Sequence, residues 1–344
     1  MNTLSPHEKV LEIMKNMVPS MRYDGKEDYS QWQKKARKKC KELLGLSQFQ
    51  KCALEVQIEY EIETEEYVET RFSFQSEEHY RIPCHLRIPK GADQPLPVMI
   101  CLQGHSTGMH ISLGNPKFQG DETKISNGDR DFANRVIKEG YCAFVMEQRD
   151  MGECGGNEEG PQCYVPSTAN LLIGRTTLGE RVWDVQRAID VITQYFSQID
   201  AEKIMCMGNS GGGTAAFYAA CIDERIKAVM PSCAICTFDD SIAAMSHCIC
   251  NFVPGMRKYF DMCDLGGLIV PRRMVMVSGR EDEIFPLKGA EKTAEFLKQL
   301  YAYNGAAEQF QFVVGEGGHR FYADDAWPVF KRGLWEDSNS GDTE

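Results

Sequence analysis

The sequence has no run of apolar residues long enough to cross a bilayer, which excludes a helical membrane span. Its opening stretch, Met1 to Val10, lacks the apolar segment of a secretory leader, so a cytoplasmic location is expected. Positive charge is in deficit: 38 Lys and Arg stand against 50 Asp and Glu, a net charge of −12. Such a surface repels polyanions, so neither nucleic acid nor a membrane is expected as a partner. Internal repeats and low-complexity tracts are missing. Histidine is scarce, at seven residues, which narrows the choice of a catalytic base. Thiol or carboxylate clusters at zinc-ligand spacing are also wanting. His105 and His110 have no such company, and His247, Cys248 and Cys250 are not completed by a second paired-cysteine motif. No metal and no organic cofactor is therefore expected.

What the chain does have is enough length, 344 residues, to bury a large core. Fourteen cysteines are scattered along it. Cys101, Cys142 and Cys206 fall inside apolar strand-like runs, so most read as buried free thiols. Residues 7–18 and 29–45 have helical character. Period-two alternation predicts strands at about 54–64, 67–75 and 80–88, with Val56, Ile58, Tyr60 and Ile62 on one face; these form an antiparallel edge. Strands near 97–102, 141–147, 203–207, 226–231, 273–278 and 309–314 then alternate with helices. That order predicts an α/β fold with a mostly parallel sheet, right-handed crossovers and a site at the C-terminal strand ends.

One pentapeptide carries the chemistry. Gly208-Asn209-Ser210-Gly211-Gly212 follows the strand-like Ile204–Met207 and precedes a small-residue helix. A G-x-S-x-G in that context is a nucleophile elbow. Its glycines permit a turn tight enough to hold Ser210 above the sheet. The N–H of Gly211 faces the same space and would stabilise an oxyanion. The base and orienting acid follow the serine in this arrangement. Only His247 and His319 lie downstream, and His319, on a glycine-flanked loop after Phe310–Val314, is the better placed. The acid loop after Arg273–Ser278 offers Glu281, Asp282 and Glu283. The spacing G-x-x-D-x-x-x-P selects Asp282, with Glu281, Asp239 and Asp240 as alternatives. The second oxyanion donor is assigned to the N–H of His105, with Ser106 as the alternative, because Gly104 permits the necessary turn after the strand at 97–102.

These residues, with Leu102-Gln103-Gly104-His105, the string Gly174-Arg175-Thr176-Thr177-Leu178-Gly179-Glu180-Arg181-Val182-Trp183-Asp184, Arg187–Asp190, Cys250–Gly255 and Pro271–Arg273, resemble the α/β-hydrolases. More narrowly, they are similar to the dienelactone-hydrolase-related acetylxylan esterase group of carbohydrate esterases, over roughly residues 30–335. The resemblance implies an α/β-hydrolase fold: a doubly wound, mostly parallel sheet with antiparallel N-terminal strands and a small helical lid. It also implies a serine esterase that removes short acyl groups, acetyl above all, from carbohydrate or a similar small alcohol, and it places Cys248–Cys250 at the pocket rim. Two departures stand out. Relatives usually carry His-Gly where this chain has Gln103-Gly104, and dienelactone hydrolases use cysteine where this chain has Ser210. A peptidase of the prolyl-oligopeptidase type would need several hundred further residues for its gating propeller. A non-catalytic binding protein of the same fold is the alternative of a different class.

Two long loops are expected to shape substrate choice, Gln148–Ile173 and Thr237–Gly267. The second, the expected lid, contains Phe238, Phe252, Tyr259 and Phe260, whose rings could stack on a sugar. Gln103, Phe238, Phe252 and Phe285 are the expected substrate contacts. Trp183 and Asp184 read as structural, with Asp184 pairing Arg149. The organisation expected is a helical segment at 1–50, the hydrolase domain at 51–335 with a lid insertion at about 237–267, and an acidic tail at 336–344. The expected partner is a small-molecule or oligosaccharide ester, and assembly into a homo-oligomer is left open.

Overall fold

The computed structural model describes residues 4–335, so the acidic tail lies outside the described residues. Nine strands form one sheet: β1 (Gln57–Glu63), β2 (Tyr67–Glu77), β3 (Tyr80–Pro89), β4 (Leu96–Leu102), β5 (Cys142–Met146), β6 (Ile199–Asn209), β7 (Ile226–Ser232), β8 (Arg273–Gly279) and β9 (Phe310–Gly315). Their order is β1-β2-β3-β5-β4-β6-β7-β8-β9. β1, β2, β3 and β5 pair antiparallel in turn. From β5 to β9 every pairing is parallel.

The apolar runs in the central strands are continuous because both faces are covered. Alternate residues enter different cores, as the period of two requires. Val98, Ile100, Leu102, Ile204 and Cys206 join one core, with the helices Tyr29–Leu43, Thr177–Tyr195 and Gly211–Ile222. Met99, Cys101, Met205 and Met207 join the other, with Phe132, Trp327 and Phe330. The N-terminal helix Tyr29–Leu43 places Trp32, Ala36 and Cys40 in the first of these cores. All fourteen cysteines are free, and Cys101, Cys142 and Cys206 are wholly buried.

One expectation fails at the sheet edge. The alternation in β1 suggests a half-buried strand, yet all seven of its residues are exposed, Ile58, Tyr60 and Ile62 included. The covering helices stop short of this edge, so the apolar face of β1 meets no layer. The long loop after β5 holds an unforeseen helix, Tyr164–Leu172. The lid segment contains three short helical pieces, Ile249–Asn251, Met256–Tyr259 and Met262–Gly266. It is tied down by Arg257, which pairs with Asp239 and donates to the carbonyls of Met14 and Met17. Among the described residues, no helix is long and apolar enough to cross a membrane.

Candidate active site

Ser210 stands between β6 and the helix Gly211–Ile222 with φ 56° and ψ −126°, a region that side-chain-bearing residues rarely occupy. The backbone is held there by hydrogen bonds from Ser210 N to Ser232 O and from Thr214 N to Ser210 O, both 2.8 Å. The flanking glycines are sterically required. A Cβ on Gly208 would lie 2.4 Å from the Gly212 carbonyl carbon, and one on Gly212 would lie 2.1 Å from Leu102 O. Gly104 is confined in the same way, since its Cβ would sit 3.1 Å from that of Ser210. The loop after β4 and the elbow thus meet in van der Waals contact.

His319 and Asp282 are in hydrogen-bond contact. His319 Nδ1 lies 2.9 Å from Asp282 Oδ2, while Asp282 Oδ1 accepts from the N–H groups of Ile284 and Phe285 at 2.8 and 3.0 Å. Burial pushes the Asp282 carboxyl up, but its contact with His319 and the two backbone donors outweigh this and leave it below its ordinary value. The His319 loop is joined to the elbow through Ser232, whose hydroxyl sits 3.0 Å from Asn209 Oδ1 and 3.4 Å from Arg320 O. The alternative acids are engaged elsewhere: Asp239 with Arg257, and Asp240 with Thr237 and Lys292. His247 bonds to the Ser241 hydroxyl. Cys233 adjoins Asp282 and His319, and burial pushes its thiol up to about 12, so it remains protonated at neutral pH.

The expected substrate contacts separate. Phe285 is buried and stacks on His319, with centroids 6.0 Å apart and planes 13° apart; it orients the imidazole. Gln103 is also buried, and its amide donates to Glu147. It braces the loop and does not face solvent. Phe238 and Phe252 line a cavity of about 650 Å³ together with His7, Val10, Ile13 and Met14. Ser210, Asp282 and His319 do not border that cavity, and these two rings are turned toward the N-terminal helix Pro6–Lys15. Phe260 is fully buried and Tyr259 packs under Lys39.

Sequence reasoning missed Glu147. This buried carboxylate accepts the N–H groups of Met109, Gln148 and Glu153 and the Gln103 amide, so it ties the loop after β4 to the loop after β5. Burial is the dominant influence on it and raises its pKa to about 7. Gln148 returns a bond to Gln103 O at 2.5 Å. A glutamate directly after an apolar strand, at the C-terminal sheet edge, was the available signal. The inferred pairing of Arg149 with Asp184 is present, bidentate at 2.8 and 2.9 Å. His110 is held by Asp121 and Thr107, apart from His105. The His105 ring instead meets Cys250 Sγ at 3.1 Å, and Cys163 and Cys248 lie within the same small space. Burial opposes protonation of His105, but the thiols of Cys250, Cys163 and Cys248 turn the balance and raise its pKa.

An open sheet with this crossover order, a strained serine after β6 and an Asp-His pair at the ends of β8 and β9 define an α/β-hydrolase. The chain belongs to the Abhydrolase family, whose profile matches residues 2–312. It is 25% identical over 248 residues to the “Putative hydrolase YtaP” of Bacillus subtilis (strain 168), covering 70% of this chain and 79% of that protein. Among solved structures it is similar to a “putative acetyl xylan esterase” from Bacteroides fragilis NCTC 9343, with TM-score 0.77 and 17% identity over 91% of this chain and 83% of that one. A glucuronoyl esterase from Solibacter usitatus superposes with TM-score 0.67 and 16% identity, over 92% and 96% of the two chains.

Proposed function

We propose that this protein is a serine esterase that removes short acyl groups, acetyl above all, from carbohydrate or a similar small alcohol. The observation that carries the reading is the Asp282–His319 pair on the strand ends that follow the strained Ser210 elbow. His319 takes the proton from Ser210 as its oxygen attacks the ester carbonyl. The N–H groups of Gly211 and His105 receive the developing oxyanion. His319 returns the proton to the leaving alcohol, and the acyl-enzyme is then hydrolysed by a water that His319 activates. Ionised Asp282 holds the imidazole by its Nδ1 and stabilises the imidazolium. The protonated state of Cys233 supports serine over thiolate as the nucleophile. The esterase names of the structural neighbours support an ester substrate, and those of the acetyl xylan and glucuronoyl esterases support one carried on a sugar.

Fluorophosphonate labelling followed by hydrolysis of a panel of nitrophenyl esters and acetylated oligosaccharides tests this reading. Label is expected on Ser210, with acetyl preferred to octanoyl. Ser210→Ala should lose on the order of 10⁴–10⁶ in kcat while keeping its fold. Full turnover by that variant would refute the serine, and a profile peaking at eight carbons or more would refute the substrate class.

A further inference from the structure

Four potential metal ligands from three separate segments converge beside the elbow. His105 comes from the loop after β4, Cys163 caps the helix Tyr164–Leu172, and Cys248 and Cys250 flank the start of the short helix Ile249–Asn251. Their ligating atoms all lie within 4.8 Å of one another. Cys250 Sγ is 3.1 Å from His105 Nε2 and 3.2 Å from Cys248 Sγ. A tetrahedral zinc with metal–sulfur bonds of about 2.3 Å has sulfur–sulfur edges of about 3.8 Å. The Cys248–Cys250 sulfur–sulfur edge, at 3.2 Å, has to open by about 0.6 Å to admit such an ion. Three thiols and one imidazole form a soft donor set with tetrahedral count, which selects a thiophilic divalent cation over magnesium or calcium.

An independent observation concerns charge. Arg181 is 2% exposed. Its nearest carboxylate oxygen, on Asp150, is 4.0 Å away, and buried cations are normally paired. Its guanidinium instead donates to Cys250 Sγ and Cys163 Sγ, each at 3.4 Å, and to Arg149 O. With neutral thiols, Asp150 at 4.0 Å is, among the described residues, the one carboxylate within ion-pair distance of this charge. Three thiolates, one neutral imidazole and a divalent cation carry a net charge of −1, which Arg181 balances. Its N–H groups then bond to ligating sulfurs, as outer-shell donors do in metal sites.

We propose that His105, Cys163, Cys248 and Cys250 form a binding site for a zinc-class divalent cation. Binding replaces three S–H bonds by three metal–sulfur bonds and releases three protons to solvent, with no change in oxidation state. The occupied site joins the oxyanion loop, the helix Tyr164–Leu172 and the lid segment at one point. Its Nδ1 edge leaves the His105 ring against Gly211, where an added Cβ would lie 2.6 Å from that nitrogen. The metal assignment does not rest on Ser210 as nucleophile.

The test uses the full chain, purified under reducing, chelating conditions and titrated with Co²⁺. One Co²⁺ per chain is expected, with thiolate-to-cobalt charge transfer and the intense ligand-field absorption of a tetrahedral ion, displaced by Zn²⁺. Cys163→Ser and Cys248→Ser should each weaken binding by more than the roughly 10–100-fold that outer-shell changes cost, with unchanged circular dichroism. A weak octahedral spectrum in the folded parent would overturn the proposal. So would the same tetrahedral spectrum in the Cys163→Ser, Cys248→Ser double variant. A disulfide between any two of these cysteines in anaerobically purified protein would do so too. Fluorophosphonate labelling of the same samples is read separately, so failure of the metal site and failure of the serine assignment are distinguishable.

Discussion

Three consecutive acids follow β8, yet only Asp282 turns inward. Its side chain is fully buried against His319, and two backbone N–H groups fix the oxygen that the histidine does not use. Asp282→Asn should therefore lower kcat by on the order of 10⁴, because the amide favours the wrong imidazole tautomer. Glu281 and Glu283 are exposed, so Glu281→Gln and Glu283→Gln should cost far less. Steady-state kinetics on one ester compares the three, and a larger loss from Glu281→Gln would move the acid to that residue. At this scale the sequence was informative, because a glycine that admits no Cβ and a short spacing between motif residues are local constraints. Ser210 lies between such glycines, Gly208 and Gly212, and Asp282 follows another, Gly279, by three residues. Phe285 was expected to touch substrate, yet its ring is buried against His319, since a ring's partner is chosen by packing that no local spacing encodes. Cys163 and Arg181 carried no local signal, because their company with His105 and Cys250 arises only when the loop after β5 folds over the sheet.

Elements are joined at the catalytic edge by polar bridges, and Glu147 is the central one between the loops after β4 and β5. Its folded-state pKa of about 7 exceeds the 4.5 of an unstructured glutamate. Between those two values the native state holds a proton that the unfolded chain releases, so stability falls as pH rises through that window. Glu147→Gln cannot ionise. Its stability relative to the parent should rise by about 2–3 kcal/mol between pH 5 and pH 8, read from urea midpoints at the two values. An equal difference at both would mean that the native carboxyl does not hold this proton. The strands themselves were readable because continuous apolar runs and period-two runs differ in kind. β1 was the exception: its pattern records an apolar face but not whether any helix reaches far enough to cover it.

The whole molecule has two cores separated by the sheet, and its N-terminal helices share the first. Trp32 is 3% exposed, donates from Nε1 to Met21 O at 2.8 Å, and lies close enough to Gly267 that a Cβ there would meet its ring at 2.8 Å. It therefore joins the N-terminal segment to the end of the lid segment. Trp32→Ala should cost about 3–5 kcal/mol and lower the urea midpoint of the sheet as well as of the helices. Tryptophan fluorescence and far-ultraviolet dichroism should report one shared transition. Two separate transitions would mean that the N-terminal segment folds on its own.

The conformation of Ser210 has a consequence for descent as well as for chemistry. At φ 56° and ψ −126° glycine is at ease and serine is strained, by about 1–3 kcal/mol for such a position. Ser210→Ala keeps the Cβ and the strain, whereas Ser210→Gly loses both. The glycine variant should melt a few degrees above the alanine variant, despite glycine's greater freedom in the unfolded chain. An equal or lower melting point would mean that the turn is relaxed. If the glycine form is the more robust, drift has a downhill path in any lineage that no longer meets its substrate. Loss of the hydroxyl would improve the protein as a folded object, so persistence of serine at this elbow would itself report continued selection on the reaction.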